Sequence, residues 1–238
     1  MTKGLFVTAT DTGVGKTYLT ALIARSLREI GVRVGAYKPV CSGADVAPDG
    51  IVSWPDVRTL AEAIGVGFDP VRVCPQRLRA PLAPPVAARL EGIQLDFGWM
   101  QSGAAWWQGR VDVLLVEGVG GLLCPLTEDK TIADLAVAVA YPLVIVARPG
   151  LGTINHTLLT VEAARHRGLR VVGVVLNEAE PLTPAPGTDE NAAEIARRAN
   201  VSVLGVVRHG SQHVEQGNDR VGPVEWMKLM AARDLAQE

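Results

Sequence analysis

The chain has 238 residues, enough for one α/β domain with a sizeable core. Hydrophobic residues make up 48% and charged residues 20%, the balance of a soluble globular fold, and a net charge of −2 leaves no electrostatic footprint for nucleic acid or an anionic membrane. The N-terminus lacks a signal-peptide pattern, and the most apolar stretch, Ala133 to Val146, is broken by Asp134 and Pro142, so a cytoplasmic location without a membrane span is expected.

An apolar run, Leu5-Phe6-Val7, predicts the first strand. It leads into Ala9-Thr10-Asp11-Thr12-Gly13-Val14-Gly15-Lys16-Thr17, and an amphipathic helix is predicted from Lys16 to about Ile30. Strand, Gly-rich turn ending Gly-Lys-Thr, then helix is the context that makes a phosphate site. Small residues let backbone N–H groups close around phosphate oxygens, and the helix N-terminus adds about half a positive charge. Lys16 can reach the outer phosphates and Thr17 can sit on Mg²⁺. Thr10 stands where the common loop carries its first Gly, so the loop is a variant form.

Val32 to Lys38 predicts a second strand, parallel to the first through the intervening helix. Cys41 to Ser53 reads as a loop. A helix follows with Pro55 in its first turn and Val57, Leu60, Ala61 and Ile64 as its buried stripe. Arg72 to Pro85 is a Pro-rich structured excursion, with short helices at Val86–Leu90 and Phe97–Trp107. Val111 to Val116 is a buried strand ending at Glu117-Gly118-Val119-Gly120-Gly121. A helix over Thr131–Ala140, a strand over Leu143–Val146 and a helix after Gly150-Leu151-Gly152-Thr153 come next. A strand from Arg170 to Leu176 ends at Asn177, and Glu178–Thr188 reads as a loop with Pro181, Pro184, Pro186 and Gly187. A helix over Asp189–Ala199, a strand over Ser202–Val207 and a last helix near Pro223 complete the chain.

Near-continuous apolar strands alternating with helices predict an α/β fold, a mostly parallel sheet with helices on both faces in three layers. Ligands in such sheets bind beyond the carboxyl ends of the strands, which selects Thr10–Thr17, Lys38–Gly43, Glu117–Gly121, Ala147–Asn155 and Asn177 onward. Glu117 at a buried strand end is read as serving Mg²⁺, the alternative being a solvated acid. Lys38 beside the phosphates is a point charge for a transferring phosphoryl group. Asp56 compensates a helix dipole or is a second metal carboxylate; periodicity does not choose between them. Thr153 reads as an N-cap without needing a ligand, and Cys41 as a small buried filler. Three cysteines at wide spacing, Cys41, Cys74 and Cys124, suggest a reducing compartment with neither disulfide framework nor zinc site.

Four blocks in register carry a resemblance: Ala9 to Thr17, Tyr37 to Gly43, Val116 to Gly121, and Gly152 to His156. Together they resemble the dethiobiotin synthetases over almost the whole length. The resemblance implies a P-loop NTPase-like domain spanning residues 1–238, a homodimer, and ATP with Mg²⁺. It implies closure of 7,8-diaminononanoate with CO₂ or bicarbonate into dethiobiotin, through a carbamate and a carbamic–phosphoric anhydride. Carried over by residue, Lys16 and Lys38 would be catalytic, and Thr17, Asp56 and Glu117 would hold metal. Gly13, Val14, Gly15, Lys16, Thr17, Tyr18, Asp56, Glu117, Gly118, Val119, Gly120 and Asn177 would bind nucleotide, with Asn177 reading the adenine edge. Thr12, Lys38, Ser42 and Gly118 would contact the diamine or its carbamate, and Gly152, Thr153 and Asn155 would receive the substrate carboxylate across the dimer interface. Gly13 stands where many members carry Glu, and Val207-Arg208-His209 where a Pro is frequent. The rival reading is a deviant P-loop switch ATPase of the partitioning or positioning type, whose signature Lys aligns with Asp11 here; a second rival is a non-enzymatic nucleotide-binding regulator.

Overall fold

Strand and helix boundaries follow the apolar pattern closely in the computed structural model, which describes residues 2–65, 67, 69–181, 187–217 and 219–231. The first half contains β1 (Lys3–Ala9), α1 (Lys16–Glu29), β2 (Val34–Tyr37), β3 (Val40–Ser42), β4 (Asp45–Val46), β5 (Val52–Ser53), α2 (Pro55–Ile64), α3 (Pro70–Val73), β6 (Gln76–Leu78), α4 (Pro84–Glu91) and α5 (Phe97–Trp106). The second half contains β7 (Val113–Glu117), α6 (Ile132–Val139), β8 (Leu143–Ala147), α7 (Thr153–His166), β9 (Val171–Asn177), α8 (Thr188–Ala199), β10 (Val203–Val207), β11 (Glu215–Gln216), β12 (Asp219–Arg220) and α9 (Pro223–Ala231).

Among the described residues one sheet carries eight strands in the order β12-β11-β10-β9-β8-β1-β7-β2. The run from β10 to β2 is parallel throughout, and β11 and β12 add an antiparallel edge. Leu5, Phe6, Val7, Leu114, Leu115, Val116, Val144 and Ile145 are all fully buried, as strands covered on both faces require. Each such side chain contributes about 1.5–3 kcal/mol relative to exposure. The chain leaves β1 in one direction to reach β2, and later moves the other way through β8, β9 and β10. Right-handed crossovers therefore put α1 on one face and α7 on the other. Helix α1 packs with α2 and α9, and α7 packs with α8. The order reverses at β1, which places the ligand crevice beyond the carboxyl ends of β1 and its neighbours.

β1 and β2 are parallel, as expected, with β7 lying between them and pairing with both. Two expectations need correction. First, Cys41–Ser53 is not all loop. Val40–Ser42 pairs in parallel with Gln76–Leu78, and Asp45–Val46 pairs with Val52–Ser53 as a hairpin. Strands of two or three residues are too short for a period to register in the sequence, and β3 finds its partner only across α2 and α3. Second, the cap of α7 is Gly152, with φ 91°, and Thr153 is already helical. Glycine takes the left-handed conformation at no steric cost, so it displaces threonine from the cap. Of the proline-rich segment after β9, Pro184 and Pro186 lie outside the described residues.

Candidate active site

The loop after β1 turns through Gly13 (φ 74°) and Gly15 (φ 92°), both in the left-handed region. Gly15 is also constrained by packing. A Cβ there would meet the Asn177 amide nitrogen at 2.0 Å. That amide donates to the Val14 carbonyl at 2.9 Å, so the end of β9 clamps the loop from the side. Asn177 is buried, and its Oδ1 has no hydrogen-bond partner among the described residues. Lys16, also buried, is drawn back over the loop and donates to the Asp11 carbonyl at 3.0 Å.

Lys38 follows β2 and is 2% exposed. Its ammonium lies 2.5 Å from Glu117 Oε1 and 2.7 Å from Asp56 Oδ2. Glu117 is the last residue of β7 and fully buried, which removes the solvated-acid reading. The Thr17 hydroxyl donates to the same Glu117 oxygen at 2.7 Å. A cavity of about 240 Å³ opens onto this cluster, lined by Thr12, Gly13, Gly15, Lys16, Thr17, Lys38, Ser42, Asp56, Val119 and Gly120. A larger cavity, about 770 Å³, lies between α4 and the 127–130 turn; neither the phosphate loop nor Lys38 lines it. Chemistry, not volume, identifies the site.

Two cations and two carboxylates share this space, and their titration separates them. Burial lowers Lys16 to about 8, and repulsion from Lys38 adds to the effect. Burial works against the Lys38 charge too, but Glu117 and Asp56 outweigh it and hold the ammonium well above the ordinary lysine range. For Asp56, burial opposes the charge, yet Lys38 and Thr17 prevail and its carboxyl lies below the usual range. Asp56 thus sits in the first turn of α2 and also faces the cavity; the dipole and the site use the same residue. Burial pushes the Cys41 thiol up to about 11, in keeping with a filler role.

The residues fit a magnesium ion. Glu117 Oε2 is buried without a hydrogen-bond partner among the described residues, and beside it stand a hydroxyl and a second carboxylate. All are hard oxygen donors, too few for an all-protein cage, which is how Mg²⁺ is held when phosphates complete its shell. No group of three or more His, Cys, Asp or Glu arranged for metal occurs among the described residues.

Other expected residues lie elsewhere. Gly118 follows Glu117, and its N–H is used by the Val7 carbonyl. Tyr18 does not line the cavity; its hydroxyl donates to the Ser211 carbonyl at 2.7 Å and fastens α1 to the loop after β10. Gly152, Thr153 and Asn155 stand at the start of α7 and are absent from this cavity's lining within one chain. The Asp11 carbonyl and the Val14–Asn177 bond escaped the sequence reading. A backbone acceptor has no residue signature, and the second contact spans 163 positions.

A family model described as an AAA domain matches residues 3–216. A curated ATP-dependent dethiobiotin synthetase of Anaeromyxobacter sp. (strain Fw109-5) is 47% identical over 208 residues, covering 87% of this chain and 90% of that protein. Another, of Bacillus licheniformis, is 41% identical over 209 residues, covering 86% and 85%. The chain belongs to the dethiobiotin synthetase family. Of the four sequence blocks that carry the resemblance, three reach the cavity and the α7 block stands apart from it. Among solved structures, a ParA family ATPase from Chlorobium tepidum aligns with TM-score 0.53 at 12% identity, covering 87% of this chain and 85% of that one. The septum site-determining protein MinD complexed with Mg-ADP from Pyrococcus horikoshii aligns with TM-score 0.52 at 15% identity, covering 97% and 95%. Those likenesses carry the P-loop ATPase fold alone, so the switch-ATPase reading has the architecture but not the family.

Proposed function

We propose that this chain is an ATP-dependent dethiobiotin synthetase, a cyclo-ligase that joins 7,8-diaminononanoate and CO₂ with cleavage of ATP to ADP and phosphate. The observation that carries the reading is the Lys38 ammonium, held by Glu117 and Asp56 at the wall of the cavity that also contains Lys16 and Thr17. One substrate amine captures CO₂ and loses a proton, giving a carbamate. The carbamate oxygen attacks the γ-phosphorus and ADP leaves. The second amine then attacks the carbamoyl carbon, phosphate departs, and the ureido ring is closed.

Lys38 suits the carbamate side of this sequence, because its charge is secured and its donors already point at oxygens. Lys16 suits the γ-phosphate, drawn away from the Asp11 carbonyl when a better acceptor arrives. Thr17, Asp56 and Glu117 would hold Mg²⁺, which supplies charge neutralisation on the phosphates. Thr12 and Ser42 would orient the diamine, and the Gly118–Gly120 backbone would line it. Val14, Gly15 and Asn177 lie along the nucleotide side, with the unpartnered Asn177 oxygen suited to the donor edge of adenine. The protein's task is positioning and electrostatics, as the carbamate is itself the nucleophile.

We further propose a homodimer in which Gly152, Thr153 and Asn155 of one copy receive the substrate carboxylate of the other. Exposed Leu123 and Leu159 beside the phosphate loop, and Leu151 just before α7, support it. The reading takes residues 1–238 as one domain. It places the enzyme in the cytoplasm; three free cysteines accord with that, and no helix among the described residues is long and apolar enough to cross a membrane. Purified protein incubated with the diamine, ¹⁴C-bicarbonate, Mg²⁺ and ATP should form acid-stable label and phosphate in equal amounts, both lost without the diamine. ATP hydrolysis indifferent to the diamine would instead favour a switch ATPase.

A further inference from the structure

We propose that Glu91 is a positioning residue that fixes the substrate wall of the site from outside it. Glu91 ends α4, and a carboxylate there faces the negative end of the helix dipole. The unfavourable placement is offset by two bonds. Glu91 Oε1 accepts from the Arg79 N–H at 2.8 Å and from the Ala80 N–H at 2.9 Å. The same two residues carry the next bonds inward: the Ala80 carbonyl accepts from the Gly43 N–H at 3.1 Å, and the Arg79 carbonyl accepts from the Ala44 N–H at 2.9 Å.

Ser42, one residue earlier, ends β3 in register with Leu78 and lines the cavity beside Lys38 and Asp56. Gly43 is in the left-handed region (φ 87°), where the chain turns out of β3, and Pro81 lies in van der Waals contact with the position its Cβ would take. The wall that carries Ser42 is therefore a three-residue strand prolonged by two backbone bonds. Those bonds depend on a segment, Arg79–Ala80, whose own N–H groups are held by one carboxylate oxygen. Without it, two N–H groups lose a charged acceptor and the 79–81 turn is free to move, taking Gly43 and Ser42 with it. Glu91 touches no reacting atom, so its effect falls on how well the wall is placed.

The assignment of this wall to the diamine rests on the synthetase reading; the latch itself does not. The test uses Glu91→Ala and Glu91→Gln in the full chain. Because both bonds go to one oxygen, the glutamine carbonyl oxygen can take its place. Amide hydrogen exchange at Gly43 and Ala44 should quicken about tenfold in the alanine variant, with β1 amides unchanged, and stay near wild type in the glutamine variant. The KM for the diamine should rise about tenfold in Glu91→Ala while the KM for ATP stays within about twofold, since the nucleotide loop is held separately by Asn177. Unchanged exchange at Gly43 and Ala44 would overturn the latch whatever the substrate proves to be. Faster exchange with equal rises in both KM values, or no recovery in Glu91→Gln, would overturn the positioning role. If the wild type turns over no diamine, the synthetase reading fails by itself, and the exchange comparison still decides the latch.

Discussion

Two lysines in one cavity behave oppositely because Lys38 is in direct contact with the two acids, while for Lys16 burial and the Lys38 charge outweigh them. Lys38 has Glu117 and Asp56, whereas Lys16 has a backbone carbonyl. Removing Lys38 leaves Glu117 buried at the end of β7 without its cation, a loss of about 3–5 kcal/mol for a buried pair broken on one side. Lys38→Ala should therefore lower the denaturant midpoint measured without Mg²⁺, and reduce turnover by about 10²–10³-fold, the usual cost of one transition-state donor. Full turnover in that variant would remove Lys38 from the chemistry. Lys16 makes a pH prediction. With its pKa near 8 in the free protein, the cost of burying its charge is fully present below pH 8, and is relieved as pH rises from there toward 10.5. Bound phosphate restores the charge, so ATP binding at pH 8.5 should take up protons and at pH 6.5 should take up none through Lys16. Calorimetry in buffers of different ionisation enthalpy would measure the difference.

At the scale of elements, helix ends do much of the positioning. Helix α6 begins where Asp134 reaches back, its Oδ2 accepting from the Thr131 N–H at 2.7 Å and the Thr131 hydroxyl at 2.6 Å, with Arg167, the residue that follows α7, on the other oxygen. This ties the chain leaving the Glu117–Gly121 loop to the C-terminal end of α7. Burial opposes the Asp134 charge, but the Thr131 bonds and Arg167 hold its carboxyl below the ordinary range. The stabilisation is thus present above the unfolded carboxyl's titration, near pH 4, and is lost as pH falls through the lower folded value. Asp134→Asn should cost about 1 kcal/mol at pH 7. The gap between variant and wild type should close in acid, as followed by thermal melts at pH 7 and pH 3. A gap constant with pH would mean that the charge has no part in it. Boundaries such as Glu117 and Asn177 at strand ends were readable because apolar runs stop there. The β3–β6 pair was not, since its strands have three residues each.

For the whole molecule, the prediction concerns the second copy. The expected carboxylate receivers at the α7 N-terminus are absent from the cavity's lining in one chain, and Leu159, on the same helix, is 57% exposed beside the phosphate loop. Leu159→Asp should convert a dimer to a monomer in sedimentation velocity, with loss of turnover and little change in melting of the isolated chain. A monomeric wild type would instead leave Gly152–Asn155 without a role in the site.

Periodicity and loop chemistry by themselves determined the α/β alternation, the phosphate loop, and the choice of Lys38 and Glu117 at strand ends as residues to watch, while leaving Asp56 divided between the helix dipole and the site. They could do so because each signal is local: a strand must be apolar to be buried, and a phosphate loop must have small residues in sequence. Tertiary structure alone decided that β7 enters between β1 and β2, that Glu117 is buried and shared by Thr17 and Lys38, and that Asn177 clamps Val14. Glu91 belongs with them, for the bonds it makes run to backbone groups of a different element. Such contacts join groups far apart in the chain through backbone atoms common to every residue, so no side-chain pattern announces them; they exist only once the strands have taken their order in the sheet.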